Sequence, residues 1–176
     1  MSPFVLLTSI AVIASAAAGG MMYVFSTFVM SGLNRTGAVE AITAMRGIND
    51  EANASAAFLL AYLGAAVLAL VVGVIAVVQL RQPGRWWVLV GGVFGILAAI
   101  ITMAFNVPLN DHLDGVDPQG LSGADAAREW QAFYPTWTAW NHVRTVTAFV
   151  AAALMLIGLL HDRSAATAPS TTVTPK

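Results

Sequence analysis

Four stretches of the sequence carry no charged side chain, and they constrain the fold more than any other feature. They cover residues 1–34, 52–80, 86–110 and 145–160. The first three exceed the roughly 20 apolar residues that a helix needs to cross a bilayer. The fourth reaches that length if Arg144 lies at the membrane interface, where a long cationic side chain extends its head into water. The pattern therefore predicts helices that span a membrane.

We predict an all-α fold, a membrane four-helix bundle with short additional helices in the two long loops. A single domain is expected over residues 1–163, with a disordered tail, rich in Ala, Thr, Ser and Pro, over residues 164–176. The predicted spans are residues 3–30, 54–80, 86–105 and 143–160.

The composition agrees with a chain that contacts the lipid bilayer over most of its surface. Hydrophobic residues make up 58% and charged residues 10% of the sequence, against about 45–50% and about 25% in soluble domains. The net charge of −1 gives no electrostatic footprint for nucleic acid. The chain has no cysteine, which excludes disulfides, thiolate catalysis and thiolate metal sites.

The connections between the spans differ sharply in length. Residues 81–85 form a tight basic turn before Trp86 and Trp87, which is typical of a membrane interface. Residues 34–53 and 111–140 are long connections, which an even number of spans places together at the opposite end from the turn and both termini. Because both arginines of the turn lie next to span ends, we expect the turn and the termini to be cytoplasmic.

Both long connections contain helix signals. Ile42, Met45 and Ile48 recur at nearly helical spacing, which predicts an amphipathic helix. Ser122 and Asp125 fit a capping box, and the helix after it would place Trp130, Phe133, Trp137 and Trp140 broadly along one side. Pro135 is expected to kink or end that helix.

Polar residues gather in three groups on the side of the long connections. The first lies within residues 34–53 and includes Asn49, the second runs from Asn106 to His112, and the third from Trp137 to Arg144. Two of the spans contain close-packing signals, small residues in the first and Gly91-x-x-x-Gly95 in the third. Such faces serve packing within the chain or an oligomer equally well.

Several interpretations stay open for these groups. Asn106 and Asn110 flank Pro108, which favours an extended Val107; they either close a helix end or form the polar lip of a cavity. Asn141 is either a plain helix N-cap or part of a site. Arg144 either extends to the interface or pairs with an inward carboxylate or Asn, and Asp50 and Asp111 are the candidate carboxylates.

No sequence motif indicates a cofactor. The chain has no Gly-rich phosphate loop, no nucleophile elbow and no zinc-protease motif. His112 and His142 can titrate near neutral pH, but the acidic and histidine residues show no recognised ligand spacing. We therefore expect no metal and no cofactor.

The motifs together resemble the anthrone oxygenase-like family of small four-helix membrane proteins. The similarity rests on residues 19–30, on residues 44–49, on Asn106-Val-Pro-Leu-Asn110, and on Trp137-x-x-Trp140-Asn-His-Val-Arg144. It covers nearly the whole chain except the tail. Many members are bacterial, so the resemblance implies a bacterial cell membrane. It also implies oxidation of an anthrone to an anthraquinone by molecular oxygen, without metal or flavin.

Two functions follow as expectations. The first is an oxygenase for a lipophilic phenol or anthrone that enters from the bilayer. Its expected catalytic residues are His142 or His112 as general base and Arg144 as oxyanion stabiliser; its expected substrate contacts are Asn49, Asn106, Asn110, Trp137, Trp140 and Asn141. The second is a non-enzymatic module: a small-molecule or lipid binder, a carrier, or a subunit of a membrane complex.

Overall fold

The chain is all-α, as the sequence predicts. The computed structural model describes residues 2–166, with side chains for residues 2–162. Within that range five helices and no strand occur: α1 (Pro3–Leu33), α2 (Ala38–Ala54), α3 (Ala56–Val78), α4 (Arg85–Asp114) and α5 (Gly123–Ala166). Helices α1, α3, α4 and α5 are each long and apolar enough to cross a membrane.

Small residues bring the four spans close together. A Cβ atom added to Gly91 would lie 2.9 Å from the Ala151 carbonyl oxygen of α5, and one added to Gly92 would lie 2.8 Å from the Ala69 carbonyl oxygen of α3. A Cβ atom added to Gly95 would lie 2.6 Å from the Ala69 Cβ atom of α3. Gly91 and Gly95 therefore pack within the chain, against α5 and α3 respectively, because no side chain fits at these contacts.

The basic turn ties three parts of the chain together at one end of the bundle. The Arg85 guanidinium lies 3.5 Å from the Phe4 ring centroid and 3.3 Å from the Asp162 carboxylate. Arg85 also donates to the Gln79 side-chain oxygen at 3.0 Å. These contacts place the start of α1, the turn and the last turns of α5 at the same end, so the described ends of the chain share the side of the turn.

The opposite end is covered by α2 and by the N-terminal third of α5. Ile42 and Met45 of the predicted amphipathic helix are buried against Leu113, Trp130 and Phe133. Ser122 caps α5 as predicted: its hydroxyl accepts from the Asp125 backbone N–H at 3.2 Å and donates to the Asp125 carboxylate at 2.7 Å. This end therefore has an apolar core of its own, separate from the contacts among the four spans.

Pro135 lies inside a continuous helix, so the alternative that it ends a helix is wrong. The segment after Ser122 and the fourth span form one continuous helix, α5. A proline inside a helix costs about 3 kcal/mol or more. Phe133 and Trp137, on either side of Pro135, are buried in one core, and this packing offsets the lost backbone hydrogen bond.

Pro108 is also inside a continuous helix, so the prediction of an extended Val107 is wrong. Val107 is helical (φ −62°, ψ −51°) and α4 runs on to Asp114. A π-helical turn at Thr102–Asn106 precedes it. The turn restarts the α-helical hydrogen-bonding pattern, so Pro108 falls in a first turn, where its missing N–H is tolerated.

The tail predicted over residues 164–176 lies outside the described residues except for 164–166, which continue α5.

Candidate functional site

Arg144 is buried inside the bundle rather than extended to the interface. It lies on α5 and is 6% exposed. Its Nε donates to the Asn141 side-chain oxygen at 2.8 Å, and its Nη1 donates to the Thr102 hydroxyl at 3.3 Å. Of the partners predicted for Arg144, an asparagine, Asn141, contacts it, whereas the candidate carboxylates Asp50 and Asp111 are exposed. The cation is thus held by neutral oxygens.

Asn141 is not a helix N-cap, because it lies in the interior of α5 and is fully buried. Its side-chain nitrogen donates to the Met22 carbonyl oxygen at 2.8 Å and to the Ser26 hydroxyl at 2.7 Å. Its oxygen accepts from Arg144. Asn141 therefore joins the π-helical turn of α1, at Phe25–Val29, to the arginine of α5.

Tyr62 and Thr102 belong to the same cluster, and sequence reasoning missed both. The Thr102 hydroxyl donates to the Ala98 carbonyl oxygen at 3.0 Å, so its lone pairs accept from Arg144 and from the Tyr62 hydroxyl. The available signal was Tyr62 itself, the one titratable side chain of α3, since an ionisable group within a span is a functional candidate.

A cavity of about 390 Å³ opens beside this cluster, within the size range of small-molecule sites. Its polar lining comprises Asn49, Asn53, Tyr62, Thr102, Asn110 and Arg144. Its apolar lining includes Phe25, Met45, Phe58, Leu63, Met103, Val107 and Trp137. The combination of an apolar, aromatic wall and a few convergent polar groups is typical of a ligand site.

Trp137 forms one wall of the cavity in a fixed orientation. Its indole N–H donates to the Asn110 side-chain oxygen at 2.7 Å. The Arg144 guanidinium lies 5.1 Å from its ring, and the Phe25 ring lies 5.8 Å from it. Three of the predicted binding residues, Trp137, Asn110 and Asn49, thus line the same cavity as Arg144.

Two other predicted contacts serve the fold around the cavity. Asn106 is fully buried and donates to the Trp137 carbonyl oxygen at 3.1 Å, which joins α4 to α5 behind the cavity wall. Trp140 stacks on Phe105 with 3.6 Å between ring centroids. Neither residue is part of the cavity lining.

The structure does not bring the two predicted histidines to Arg144. His142 is exposed, and it lies two residues from Arg144 on one helix, where successive residues are about 100° apart. The two side chains therefore point in opposite directions. His112 is exposed at the outer surface, 3.1 Å from the Glu129 carboxylate. Neither histidine lines the cavity beside Arg144, and the role of general base expected for His142 or His112 stays a prediction.

The comparisons with known proteins identify a family. Residues 57–154, more than half of the chain, match the family model described as anthrone oxygenase. The matched range includes Tyr62, Thr102, Asn110, Trp137 and Arg144. No curated protein and no solved structure matches the chain.

Proposed function

The chain belongs to the anthrone oxygenase family, and from that premise we propose that it oxidises a flat, lipophilic phenol or anthrone inside the cavity beside Arg144. The observation that carries the proposal is a buried arginine facing an apolar cavity of about 390 Å³. A guanidinium in such surroundings is prepared for an anionic oxygen on an otherwise apolar molecule.

The shape and position of the cavity suit such a substrate. Phe25 and Trp137 offer ring faces for a planar aromatic molecule. Leu63 and Met103 line the cavity and are also exposed on the surface of the spans, at 51% and 62%. We propose that the substrate enters between these two side chains directly from the bilayer, where a lipophilic molecule accumulates.

The chemistry uses the substrate as the electron donor. An anthrone loses a C–H proton to give an enolate, whose oxyanion Arg144 stabilises in a site of low dielectric constant. The enolate passes one electron to dioxygen, and the resulting carbon radical and superoxide combine. Protonation gives a hydroperoxide, which loses water. One oxygen atom remains as the new carbonyl and the other leaves as water, so anthrone and dioxygen give anthraquinone and water.

Tyr62 is the proposed proton acceptor in its phenolate form: the oxygen takes the C–H proton of the substrate, and the phenol so formed returns that proton to the peroxide anion to give the hydroperoxide. Tyr62 and Arg144 are the two titratable side chains in the described lining of the cavity. The Tyr62 side-chain oxygen is hydrogen-bonded to Thr102. General bases act within hydrogen-bonding reach of the proton that they remove. Tyr62 lines the same cavity as Arg144, so we place the ring carbon that loses the proton on the Tyr62 side when the substrate oxygen faces the guanidinium.

Oxygen uptake by purified protein with emodin anthrone tests the function. We expect Arg144→Gln to lower kcat/KM by about 10²–10³, the usual loss on removing an oxyanion donor. Arg128→Gln is the matched control, since Arg128 pairs with Asp125 on the exposed N-terminal part of α5. Wild-type turnover no faster than that of Arg144→Gln contradicts the proposal. Saturable binding without uptake identifies a carrier or binder instead.

The same assay separates Tyr62 from the histidines. We expect Tyr62→Phe to lower kcat by about 10²–10⁴, the range for a general base, and His142→Ala to retain turnover. Tyr23→Phe is the control, because Tyr23 is exposed and packs edge-on against Phe149. Loss of turnover in His142→Ala with activity kept in Tyr62→Phe returns the role of base to His142.

A further inference from the structure

A second, much smaller cavity lies on the other side of Arg144. Its volume is about 20 Å³, room for little more than one water-sized molecule. Arg144, Tyr62 and Met22 line both this cavity and the large one. A molecule in the small cavity is therefore separated from the substrate by these side chains alone.

The lining of the small cavity is apolar apart from three side chains. Ala18, Ala65, Gly95, Ala98 and Ala148 supply most of it. Beside Arg144 and Tyr62, the remaining polar group is Ser15, which is 3% exposed and whose hydroxyl has no hydrogen-bond partner within residues 2–166. An unpartnered buried hydroxyl is costly and rare, so the position calls for a ligand.

The small cavity also adjoins the lipid-facing surface. Ala66 and Ala99 line it, and the same two residues line an apolar groove between α3 and α4. Val67 and Ile100 of that groove are 59% and 55% exposed. In a bilayer the groove is filled by hydrocarbon, and an apolar gas such as dioxygen partitions into hydrocarbon.

We propose that the small cavity is a dioxygen site, which is reached from the bilayer through the groove past Ala66 and Ala99. This inference rests on the proposed oxygenase function. Its size suits a diatomic molecule, and most of its lining is apolar, which suits dioxygen that arrives from the hydrocarbon of the bilayer. Substrate and oxygen thus both enter between α3 and α4, at neighbouring openings that share Met103.

The polar groups of the small cavity then act after electron transfer. One electron passes from the substrate enolate to dioxygen, giving a substrate radical and superoxide. The Ser15 hydroxyl is free to donate a hydrogen bond to superoxide, and the Arg144 charge attracts it toward the wall shared with the substrate. Superoxide then moves past the Arg144 side chain into the large cavity, where it combines with the substrate radical to form the new C–O bond, without a further oxidant.

Steady-state kinetics at varied dioxygen concentration test the route. We expect Ala66→Leu and Ala99→Leu to raise the KM for dioxygen at least several-fold and to leave the KM for emodin anthrone unchanged. Ala61→Leu is the matched control: Ala61 is exposed on the same helix as Ala66 and is part of neither cavity. Unchanged KM for dioxygen in both variants, with active wild-type enzyme, overturns the inference and leaves the proposed function standing.

A Ser15 variant tests the polar group of the site. Ser15→Ala removes a hydroxyl that has no partner in the described part of the chain. If the role of Ser15 were only structural, the variant would keep or gain stability and would retain full activity. We expect the stability to hold while kcat/KM for dioxygen falls. Full retention of kcat/KM for dioxygen contradicts a role for Ser15 at the site.

Binding of dioxygen is also measurable without turnover. In protein with ¹³C-labelled alanine methyl groups, dissolved dioxygen speeds the relaxation of nearby methyl signals. We expect Ala18, Ala98 and Ala148, all buried, to respond as strongly as lipid-exposed alanines, and Ala66→Leu to remove the effect. If wild-type protein oxidises no anthrone, the proposed function fails, but this measurement still shows whether dioxygen enters the small cavity. Buried methyl groups that do not respond to dioxygen overturn the inference.

Discussion

Arg144 shows how the bundle holds a cation without a carboxylate. Asn141, Thr102 and the Trp137 ring surround the guanidinium. A charge among the spans is expensive, and such residues face the bundle interior or a cavity. The sequence indicated this, because Asn141 and Arg144 are three residues apart and share a helix face. The sequence could not indicate Thr102, because its contact depends on how α4 packs against α5.

Asn141 is the residue whose loss we expect to weaken the bundle most clearly. Asn141→Ala removes hydrogen bonds to Met22 and Ser26 and leaves Arg144 with one fewer acceptor. A buried group that loses its partner costs about 1–3 kcal/mol. Unfolding in mixed detergent should show a loss of that size. Asn53→Ala is the control, because Asn53 is exposed; equal loss in both variants contradicts the role of Asn141.

At the scale of the helices, two π-helical turns shape the site. They occur at Phe25–Val29 in α1 and at Thr102–Asn106 in α4, and Phe25 and Thr102 both line the substrate cavity. Turns of this kind are often found at functional sites. The length of the charge-free apolar stretches predicted the spans, but one extra residue in a helical turn leaves no hydrophobic signal. For that reason the continuation of α4 past Pro108 was not predictable from sequence.

The close packing of α3 and α4 makes a prediction at the same scale. In Gly92→Ala the new methyl group would lie 2.8 Å from the Ala69 carbonyl oxygen and 3.1 Å from the Gly73 Cα atom. Two backbones must separate, and overpacking of this kind costs about 1–3 kcal/mol. Gly64→Ala, on α3, meets nothing within 4 Å and should not destabilise. Thermal unfolding in detergent that shows no difference between the two variants contradicts this packing.

At the scale of the whole molecule, the two ends of the bundle are unlike. One end is fastened by Arg85, Asp162 and Phe4; the other carries α2, the aromatic core and the substrate cavity. The sequence predicted this difference and placed Asn110, Trp137 and Arg144 near one another. The spacing of histidines in the sequence did not indicate that His142 projects away from Arg144 on α5 or that His112 contacts Glu129. We still expect the fastened end to be cytoplasmic, from its arginines.

Anaerobic binding of emodin anthrone tests the central claim most directly, because it separates the cavity from the reaction. We predict saturable one-to-one binding that quenches the fluorescence of Trp137, judged by difference from Trp137→Phe. Val107→Phe, which fills the cavity, should abolish binding, while Val24→Phe on the outer face of α1 should not. Binding that is absent in the wild type, or equally strong in Val107→Phe, would contradict the assignment of this cavity as the substrate site.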